Sequence, residues 1–443
     1  MTDMEQIAQL KQVVDDLLQE AHKQGADNAE AGVSVQTGLS VTVRLGEIET
    51  IEHTSDNGLA VTVYFDRRKG SANTTDLRPE AIRESVAAAC RIAKHTSEDP
   101  AAGLADPELM AREVPNLDLY HPWQLSAEAA MESARECEAA ARGLDPRICN
   151  SEGATLYTQR SSFIYGNSHG FVGGYPTTRH GLSCAVIAQQ DDEMQRDYWY
   201  DSSRLPAALA DPAEIGREAA RRTLARLGGR RLGTRECPVL FRADVAPSLL
   251  RSLFGAIRGH AVYRRSTFML DKVGTQIFPD WVTISEDPLI PRGQASAPFD
   301  NEGVATRYRE LVAGGVLQGY LLDSYAARKL GLQSTASAGG VRNARIASSG
   351  QSFDELLREM DRGLVVTELM GQGSNLVTGD YSRGAAGFWV EGGEIQYPVD
   401  EITVAGNLGD MYRQLVAVGS DDAIPGSVKT GSWLFENMTI GGD

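Results

Sequence analysis

Residues 378–408 read TGDYSRGAAGFWVEGGEIQYPVDEITVAGNL, and this glycine-punctuated stretch decides the fold class of the C-terminal part of the chain. The apolar runs FWV and IQY flank Glu391-Gly392-Gly393-Glu394, a spacing that predicts two antiparallel strands joined by a tight hairpin turn. Pro398 has no N–H group, so it belongs where the ladder needs no donor. The run ITV at 402–404 predicts the next strand. The stretch therefore predicts antiparallel sheet and by itself indicates no chemistry.

Composition limits what the rest of the chain can be. With 443 residues the chain is too long for one ordinary core, so at least two domains are expected. The net charge of −17 repels nucleic-acid backbones and anionic membranes. Five widely spaced cysteines without a CxxC pair suit free thiols in a reducing cytoplasm. The chain starts without the pattern of a signal peptide, and no stretch reaches the roughly 18 apolar residues of a membrane helix. We expect a cytoplasmic protein that binds neither nucleic acid nor membrane.

Helical and strand patterns follow one another in blocks near the N-terminus. Residues 4–24 carry apolar side chains at helical spacing, residues 29–72 switch to period two, and residues 78–95 return to a helical pattern. Asp56-Asn57-Gly58 lies between two alternating runs and predicts a hairpin turn. Residues 97–124 are rich in Pro, Asp and Ala and predict a linker or an extended surface connection.

The same order of elements then recurs. Residues 126–142 predict a helix, residues 150–200 carry alternating runs, and residues 211–227 predict a second helix. Asp211 is placed to cap that helix, with Pro212 in its first turn. The recurrence predicts an internal duplication in the N-terminal half.

The pattern as a whole predicts an α+β fold, because helices and antiparallel strands are grouped instead of strictly alternating. We divide the chain into an N-terminal α+β region, residues 1–230, with repeats at 4–97 and 125–228, and a mostly β C-terminal α+β domain, residues 235–443. Further elements predicted in the C-terminal domain are a strand at 238–243, a helix at 244–262, a strand at 281–285 and a helix at 353–361.

One segment matches the GxSxG pattern of a nucleophile elbow, Gly166-Asn167-Ser168-His169-Gly170. An elbow needs a strand that enters and a helix that leaves, because the strained turn presents the hydroxyl above the sheet. Here FVGGYP follows and cannot start a good helix, so we predict a hairpin turn. His169 and His180 could meet across that hairpin, near Asp191, but no ligand spacing supports a metal site.

A second glycine-rich segment, Gly371-Gln372-Gly373-Ser374-Asn375, lacks the third glycine and the βαβ context of a dinucleotide fingerprint. It predicts a turn whose backbone approaches another chain closely, and a peptide strand could be that neighbour. We take Gly371, Gly373, Ser374 and Asn375 as candidate peptide-binding residues. The alternative is a structural loop, which is the commoner role of such segments.

Five long segments together are specific to one family. They are the opening stretch at 378–408, PFDNEG at 298–303, LQGYLLDSYAARKLG at 317–331, NSHGFVGGYPTTRHGLS at 167–183, and ENMTIGG at 436–442. On these segments the chain resembles the PmbA (TldE) branch of the TldD/PmbA family, historically called modulators of DNA gyrase.

The resemblance implies a subunit of a cytoplasmic, heterodimeric, zinc-dependent metallopeptidase. In that family a TldD-type subunit pairs with a PmbA-type subunit, and unstructured peptides enter a cavity and are cleaved. The family is linked to leader-peptide maturation and to antitoxin degradation. The partners implied are therefore a TldD-type subunit and peptide substrates, and a homodimer of this chain stays open.

The resemblance also implies where a metal site would lie. The TldD branch carries H-E-x-x-G-H and a downstream cysteine. When the shared Arg264-Arg265 pair is aligned without a gap, the motif falls on residues 251–256. Its glycine is retained as Gly255.

Every ligand position of that motif holds another residue type here. Arg251 and Ala256 take the two histidine positions, Ser252 the glutamate position, and Val282 the cysteine position. Arginine is a permanently cationic donor, and alanine and valine have no ligand atom. We expect no zinc and no catalytic residue in this chain, with the zinc held by the TldD-type partner. His260, the one histidine nearby, is expected to pack or to form a hydrogen bond.

Three functional hypotheses remain open from the sequence. The first, which is our prediction, is a non-catalytic peptidase subunit. The second is an independent hydrolase that uses Ser168 with His169 or His180. The third is a non-enzymatic regulator of gyrase or another macromolecule, which the family's older name suggests and which the net charge of −17 disfavours for direct DNA binding.

Overall fold

Two successive α-β-β-β-α units make up the N-terminal half of the computed structural model, which describes residues 3–422 and 425–442. The elements of the first unit are α1 (Asp3–Lys23), β1 (Asn28–Arg44), β2 (Glu47–Phe65), β3 (Arg68–Thr74) and α2 (Pro79–His95). The elements of the second unit are α3 (Ala127–Arg142), β4 (Ile148–Asn167), β5 (Val172–Gln190), β6 (Glu193–Ser203) and α4 (Pro212–Ala225). The order of elements thus recurs, and Asp211 caps α4 by accepting from the Glu214 N–H.

The six strands form one antiparallel sheet in the order β3-β2-β1-β4-β5-β6. We call it the N-terminal sheet. Alternate residues of β1 point to the same face along the whole strand, because side chains alternate with period two. Ala31 and Val33 pack into a core with α1 and α2, whereas Val41 and Val43 pack into a second core with α3 and α4. All four helices therefore cover one face of the sheet, and its other face is left for the rest of the chain.

The predicted turn at Asp56-Asn57-Gly58 is wrong. These residues lie inside β2, where Asp56 pairs with Gln36 and Gly58 with Ser34. The chain turns instead at Leu45-Gly46 and at Asp66, where the backbone adopts positive φ. The part of β2 around these residues is exposed to solvent, so polar residues are tolerated there within a continuous strand. In the sequence such residues look the same as those of a turn.

Residues 97–124 form no strand and no α-helix, as expected of an extended connection, but part of the segment is buried. Ala102 and Leu104 pack on Tyr64 of the N-terminal sheet, and Ala105 packs on Val304 of the C-terminal half. The segment is therefore a partly buried connection that contacts both halves. Its alanines give the segment the composition of a linker. The same small side chains allow it to pack closely against both halves.

The C-terminal half contains two sheets and five short helices among the described residues. Its first elements are β7 (Arg235–Phe241), α5 (Pro247–Ala256), α6 (Gly259–Tyr263), β8 (Ile284–Glu286), β9 (Arg309–Ala313), β10 (Val316–Leu317), α7 (Ser324–Leu330) and β11 (Ala344–Ile346). They are followed by α8 (Phe353–Met360), β12 (Gly363–Met370), β13 (Asp380–Glu391), β14 (Glu394–Asn407), α9 (Leu408–Arg413), β15 (Leu415–Val418), β16 (Val428–Lys429) and β17 (Trp433–Gly441).

The larger C-terminal sheet is mixed and closes on itself. Its order is β14-β13-β12-β7-β17-β15, and β14 also pairs with β17 through Val404 and Ile440. The opening stretch supplies β13 and β14, and the predicted hairpin at Gly392-Gly393 joins them. Trp389 and Trp433 are buried in the core of this sheet. The smaller sheet has the order β10-β9-β8-β11-β16. The α+β class is confirmed, whereas the division of the chain near residue 230 stays a prediction.

Two predicted C-terminal elements are shorter than expected. The helix predicted at 244–262 breaks between α5 and α6, because the backbone at Arg258 is extended and pairs with Leu321. The strand predicted at 281–285 begins only at Ile284, because Val282 lies in a turn in which its N–H donates to Pro279 O. No helix in residues 3–422 and 425–442 is both long and apolar enough to span a bilayer.

One aromatic side chain joins the two halves. Phe299 is 1% exposed and packs edge-on against Phe171 and Tyr175, at ring-centroid distances of 5.2 and 5.6 Å. A Cβ added at Gly173 would lie 2.9 Å from the Phe299 ring, so glycine is required for this close approach. The segments 167–183 and 298–303, separate in sequence, therefore meet at the open face of the N-terminal sheet.

We expect Phe299→Ala to destabilise the protein by about 3–5 kcal/mol, because it leaves a cavity at this contact. Phe299→Leu retains most of the volume and is expected to cost less than half as much. Differential scanning calorimetry measures both effects. Since Phe299 couples the halves, the alanine variant is also expected to unfold in two separated transitions. A single transition at the wild-type temperature would contradict this account.

Candidate functional site

Helix α5 carries the positions that align with the metal motif of the TldD branch. Arg251 is exposed, and the Ser252 hydroxyl donates to the Ser248 carbonyl at 3.1 Å. Ala256 and Val282 are fully buried in the apolar core. A cationic donor, a hydroxyl committed to the helix backbone and two aliphatic side chains do not fit a zinc ion, which needs deprotonated N, O or S ligands.

No cluster of three or more His, Cys, Asp or Glu side chains suited to a metal ion occurs among the described residues. His260 is exposed, and its Nδ1 lies 3.1 Å from the Tyr263 hydroxyl. The two rings also meet edge-on at 5.2 Å. The histidine nearest to the aligned motif therefore has a hydrogen-bonding neighbour.

The glycine-rich loop, residues 371–375, runs antiparallel to the start of β13. A Cβ at Gly373 would lie 1.5 Å from the Ser382 carbonyl oxygen, and the Ser382 N–H donates to Gly373 O at 2.8 Å. Ser374 forms a bridge with Tyr381, and the Asn375 N–H donates to Asp380 O. The close approach foreseen at this loop is made to a segment of the same chain. Peptide binding by the loop stays a prediction.

The loop also contacts helix α5, a neighbour that the sequence did not indicate. The Ser252 and Ser374 hydroxyls lie 3.5 Å apart, and a Cβ at Gly255 would lie 2.9 Å from the Leu376 side chain. Glycine at position 255 therefore allows the loop to sit directly on the helix. The aligned metal motif and the predicted peptide loop form one surface. Gly371, at positive φ and with open space around it, lies on the exposed side of that surface.

The GxSxG segment is the hairpin between β4 and β5, as predicted. The Ser168 hydroxyl accepts from the Ala29 N–H at 3.1 Å and donates to Asn28 Oδ1 at 3.2 Å. His169 lies in the turn, whereas His180 pairs with Thr158 far along the hairpin. The two histidines therefore do not meet, and neither is a hydrogen-bond partner of the Ser168 hydroxyl in the described structure. Strand, turn and strand cannot present a nucleophile as an elbow does.

An acidic cleft of about 460 Å³ lies beside the Phe299 contact, and the sequence assigned it no role. Glu30, Glu302 and Asp323 line it together with Tyr165. Both oxygens of Glu30 accept hydroxyl hydrogen bonds, from Tyr64 at 2.8 Å and from Tyr165 at 2.9 Å. The signal for this cleft was the PFDNEG segment itself, whose acids follow the buried phenylalanine.

Two carboxyl groups of this segment have raised pKa values. Burial raises the pKa of the Glu302 carboxyl to about 7, although the hydrogen bond that it accepts from the Ser324 N–H at 2.9 Å lowers the pKa. Burial also raises the pKa of the Asp300 carboxyl to about 6, although it accepts from the N–H groups of Glu302, Val304 and Ala338. Both groups bind protons more tightly in the folded state than in the unfolded state. Their contribution to stability is therefore greatest below pH 4 and is lost as the pH rises through about 6 to 7.

We expect Glu302→Gln to stabilise the protein at pH 8 by about 1–3 kcal/mol, because it removes a buried charge while retaining an acceptor for Ser324. At pH 4, where Glu302 is largely protonated in both the folded and the unfolded state, the variant and the wild type should unfold at nearly the same temperature. Asp300→Asn is the contrasting variant, since it replaces an oxygen that accepts backbone N–H bonds and should destabilise at both pH values. Thermal unfolding at the two pH values checks this, and equal effects of Glu302→Gln at both would refute it.

Comparison with known proteins places this architecture in a family. Models of the PmbA/TldA metallopeptidase family match three successive parts of the chain: domain 1 at residues 29–93, the central domain at 120–227 and the C-terminal domain at 234–442. The chain is 52% identical to metalloprotease PmbA of Escherichia coli O157:H7 over 417 residues, which cover 94% of this chain and 93% of that protein. It is 46% identical to a PmbA homolog of Haemophilus influenzae over 436 residues, covering 98% and 96%.

Solved structures share the whole fold. A protein described as a modulator of DNA gyrase from Bacteroides thetaiotaomicron matches with a TM-score of 0.93 and 28% identity, covering 100% of both chains. TldE from Thermococcus kodakarensis matches in fold with a TM-score of 0.83 and 22% identity, covering 97% of this chain and 100% of that one. On the three domain matches and the identity over nearly the whole length, this chain belongs to the PmbA/TldA metallopeptidase family.

Proposed function

We propose that this chain is the non-catalytic subunit of a cytoplasmic, zinc-dependent peptidase, assembled with a TldD-type subunit that holds the zinc. In this proposal the chain shapes the cavity and helps to bind unstructured peptides. The supporting observation is the side-chain set at the aligned metal positions. Arg251, Ser252, Ala256 and Val282 offer no site for zinc, on a scaffold that belongs to a metallopeptidase family.

The surroundings of α5 support a binding role for the same surface. Ala256 and Val282 sit in the core with no exposed area, so the scaffold of the motif is kept while its chemistry is replaced. The loop at 371–375 lies on that helix and is flanked by two exposed apolar side chains, Met370 and Val377. Exposed apolar groups beside glycine backbone suit an extended peptide, which is held by main-chain hydrogen bonds and side-chain contacts.

The other hypotheses find less support in the described residues. Ser168 lies in a β-hairpin without a histidine partner, which leaves an independent serine hydrolase without a base. Two solved relatives are described as modulators of DNA gyrase, but that description names no chemistry that this structure could test. The net charge of −17 continues to disfavour direct binding to DNA.

Co-expression with a TldD-type subunit tests the division of labour. Purified alone, this chain is expected to bind no stoichiometric zinc and to cleave no unstructured peptide. The assembled pair should contain one zinc per pair and cleave the peptide, and a chelator should abolish cleavage. Metal analysis of each purified subunit and a peptide-cleavage assay measure these outcomes. Chelator-insensitive cleavage by the lone chain would reject the proposal.

Site-specific photo-crosslinking tests the peptide surface. A photoreactive amino acid in place of the exposed Gln372, within the loop, is expected to capture a substrate peptide in the assembled pair. The same substitution at the exposed Gln190, the last residue of β5, serves as the matched control and should capture none. Equal capture at both positions, or capture only at Gln190, would place peptide binding elsewhere.

A further inference from the structure

A polar cleft of about 240 Å³ lies on the open face of the N-terminal sheet, where residues 293–294 of the C-terminal half cover it. In the β4–β5 register Gln159 pairs with Arg179, and Ser161 pairs with Thr177. These four side chains share one face, because paired residues and alternate residues point to the same side of a sheet. The cleft is thus built on two strands, with hydroxyl and amide groups beside one guanidinium.

A second guanidinium, that of Arg204, closes the cleft. Arg204 is 8% exposed, and its polar partners are backbone carbonyls: Nε donates to Gly293 O at 2.9 Å, Nη1 to Thr178 O at 3.1 Å, and Nη2 to Gln294 O at 2.9 Å. These bonds use three of the five N–H donors of a guanidinium. They fix its position without neutralising its charge.

The two arginines lie side by side around one oxygen atom. Arg179 Nη2 donates to Gln294 O at 3.2 Å, the same carbonyl that accepts from Arg204, and to Gln294 Oε1 at 3.1 Å. Burial, and to a lesser extent the neighbouring Arg179, lowers the pKa of Arg204 to about 10. Within the described residues neither arginine forms an ion pair with a carboxylate, and the Nε and Nη1 groups of Arg179 make no hydrogen bond.

Three partly buried arginines of this chain contact carboxylates. Arg222 and Arg242 both contact the carboxylate of Asp244, and Arg309 Nε lies 3.0 Å from Glu286 Oε1. Taking a cation out of water is costly unless an anion accompanies it. Arg204 is buried, Arg179 beside it is exposed at the mouth of the cleft, and neither contacts a carboxylate within the described residues. This arrangement suits a site that takes its anion from solution.

We propose that Arg179 and Arg204, with Ser161 and Thr177, form a binding site for a compact oxyanion, a carboxylate or a phosphate. The planar guanidinium groups match the two oxygens of such a ligand in a bidentate manner. The free edge of Arg179 donates from β5, the remaining donors of Arg204 donate from the end of β6, and the hydroxyl groups complete the lining. This site lies outside the surface of α5 and the glycine-rich loop, and it does not depend on the proposed peptidase role.

Isothermal titration calorimetry of the full chain at constant ionic strength tests the proposal. The probes are sodium phosphate, N-acetylglycine, and N-acetylglycine amide, which lacks the carboxylate. We expect one bound oxyanion per chain and no binding of the amide. Preference for N-acetylglycine assigns the site to peptide carboxylates, and preference for phosphate assigns it to a free or esterified phosphate.

Two variants with the same change in net charge separate a built site from a diffuse positive field. Arg179→Gln is expected to weaken binding about tenfold or more, because it removes charge-assisted hydrogen bonds. Arg160→Gln should leave binding unchanged, since Arg160 follows Gln159 in β4, points to the opposite face, and donates from Nε to Thr37 Oγ1 at 2.7 Å.

A third variant, Arg204→Lys, keeps the charge but loses the planar fork, and it should also weaken binding. Thermal unfolding without ligand establishes that each variant is folded, and if Arg204→Lys does not fold, Arg179→Gln decides alone. The proposal is overturned if the wild type binds neither oxyanion, if Arg179→Gln binds like the wild type, or if Arg160→Gln weakens binding equally.

Discussion

The packing of Phe299 against the open face of the N-terminal sheet is the contact on which the arrangement of the two halves depends. The helices cover the opposite face, so this face would otherwise present aromatic side chains to solvent. The Phe299 ring buries these side chains and fixes the position of one half relative to the other. This packing explains why glycine is needed at position 173 and in the turn that follows Phe299. A larger residue at either place would collide with the aromatic rings. The acidic cleft and the arginine cleft both border the seam that this contact creates.

In the proposed function, helix α5 keeps the family scaffold while other residue types occupy the aligned metal positions. A metal site needs only a few ligand atoms, whereas a helix that packs against a sheet needs many apolar contacts. Replacing ligands by Ala256 and Val282 adds apolar side chains to a core that already exists. Gly255 remains because the loop above it still needs the space. If the proposed function holds, the same surface keeps its shape for binding without carrying groups for hydrolysis.

Much of this architecture follows from local patterns in the sequence. Period-two and helical spacing predict the elements of the N-terminal half, and the hairpin at Gly392-Gly393 is predicted by its turn residues. The turn predicted at Asp56-Asn57-Gly58 is wrong, because an exposed pair of strands accepts polar residues that a half-buried strand would not accept. The arginine cleft has no such signal. Arg179 and Arg204 lie on different elements and meet only because Gln294, from the other half, lies between them.

The position of β17 has a consequence for the nascent chain. This strand, Trp433–Gly441, lies between β7 and β15 and also closes the sheet onto β14. While a ribosome is still translating the preceding segments, β7 lacks its antiparallel neighbour and the sheet stays open. The N-terminal sheet needs only earlier residues and can fold first. During vectorial synthesis this edge of β7 therefore stays unpaired until β17 emerges, and prematurely terminated chains would expose it to pairing with other chains.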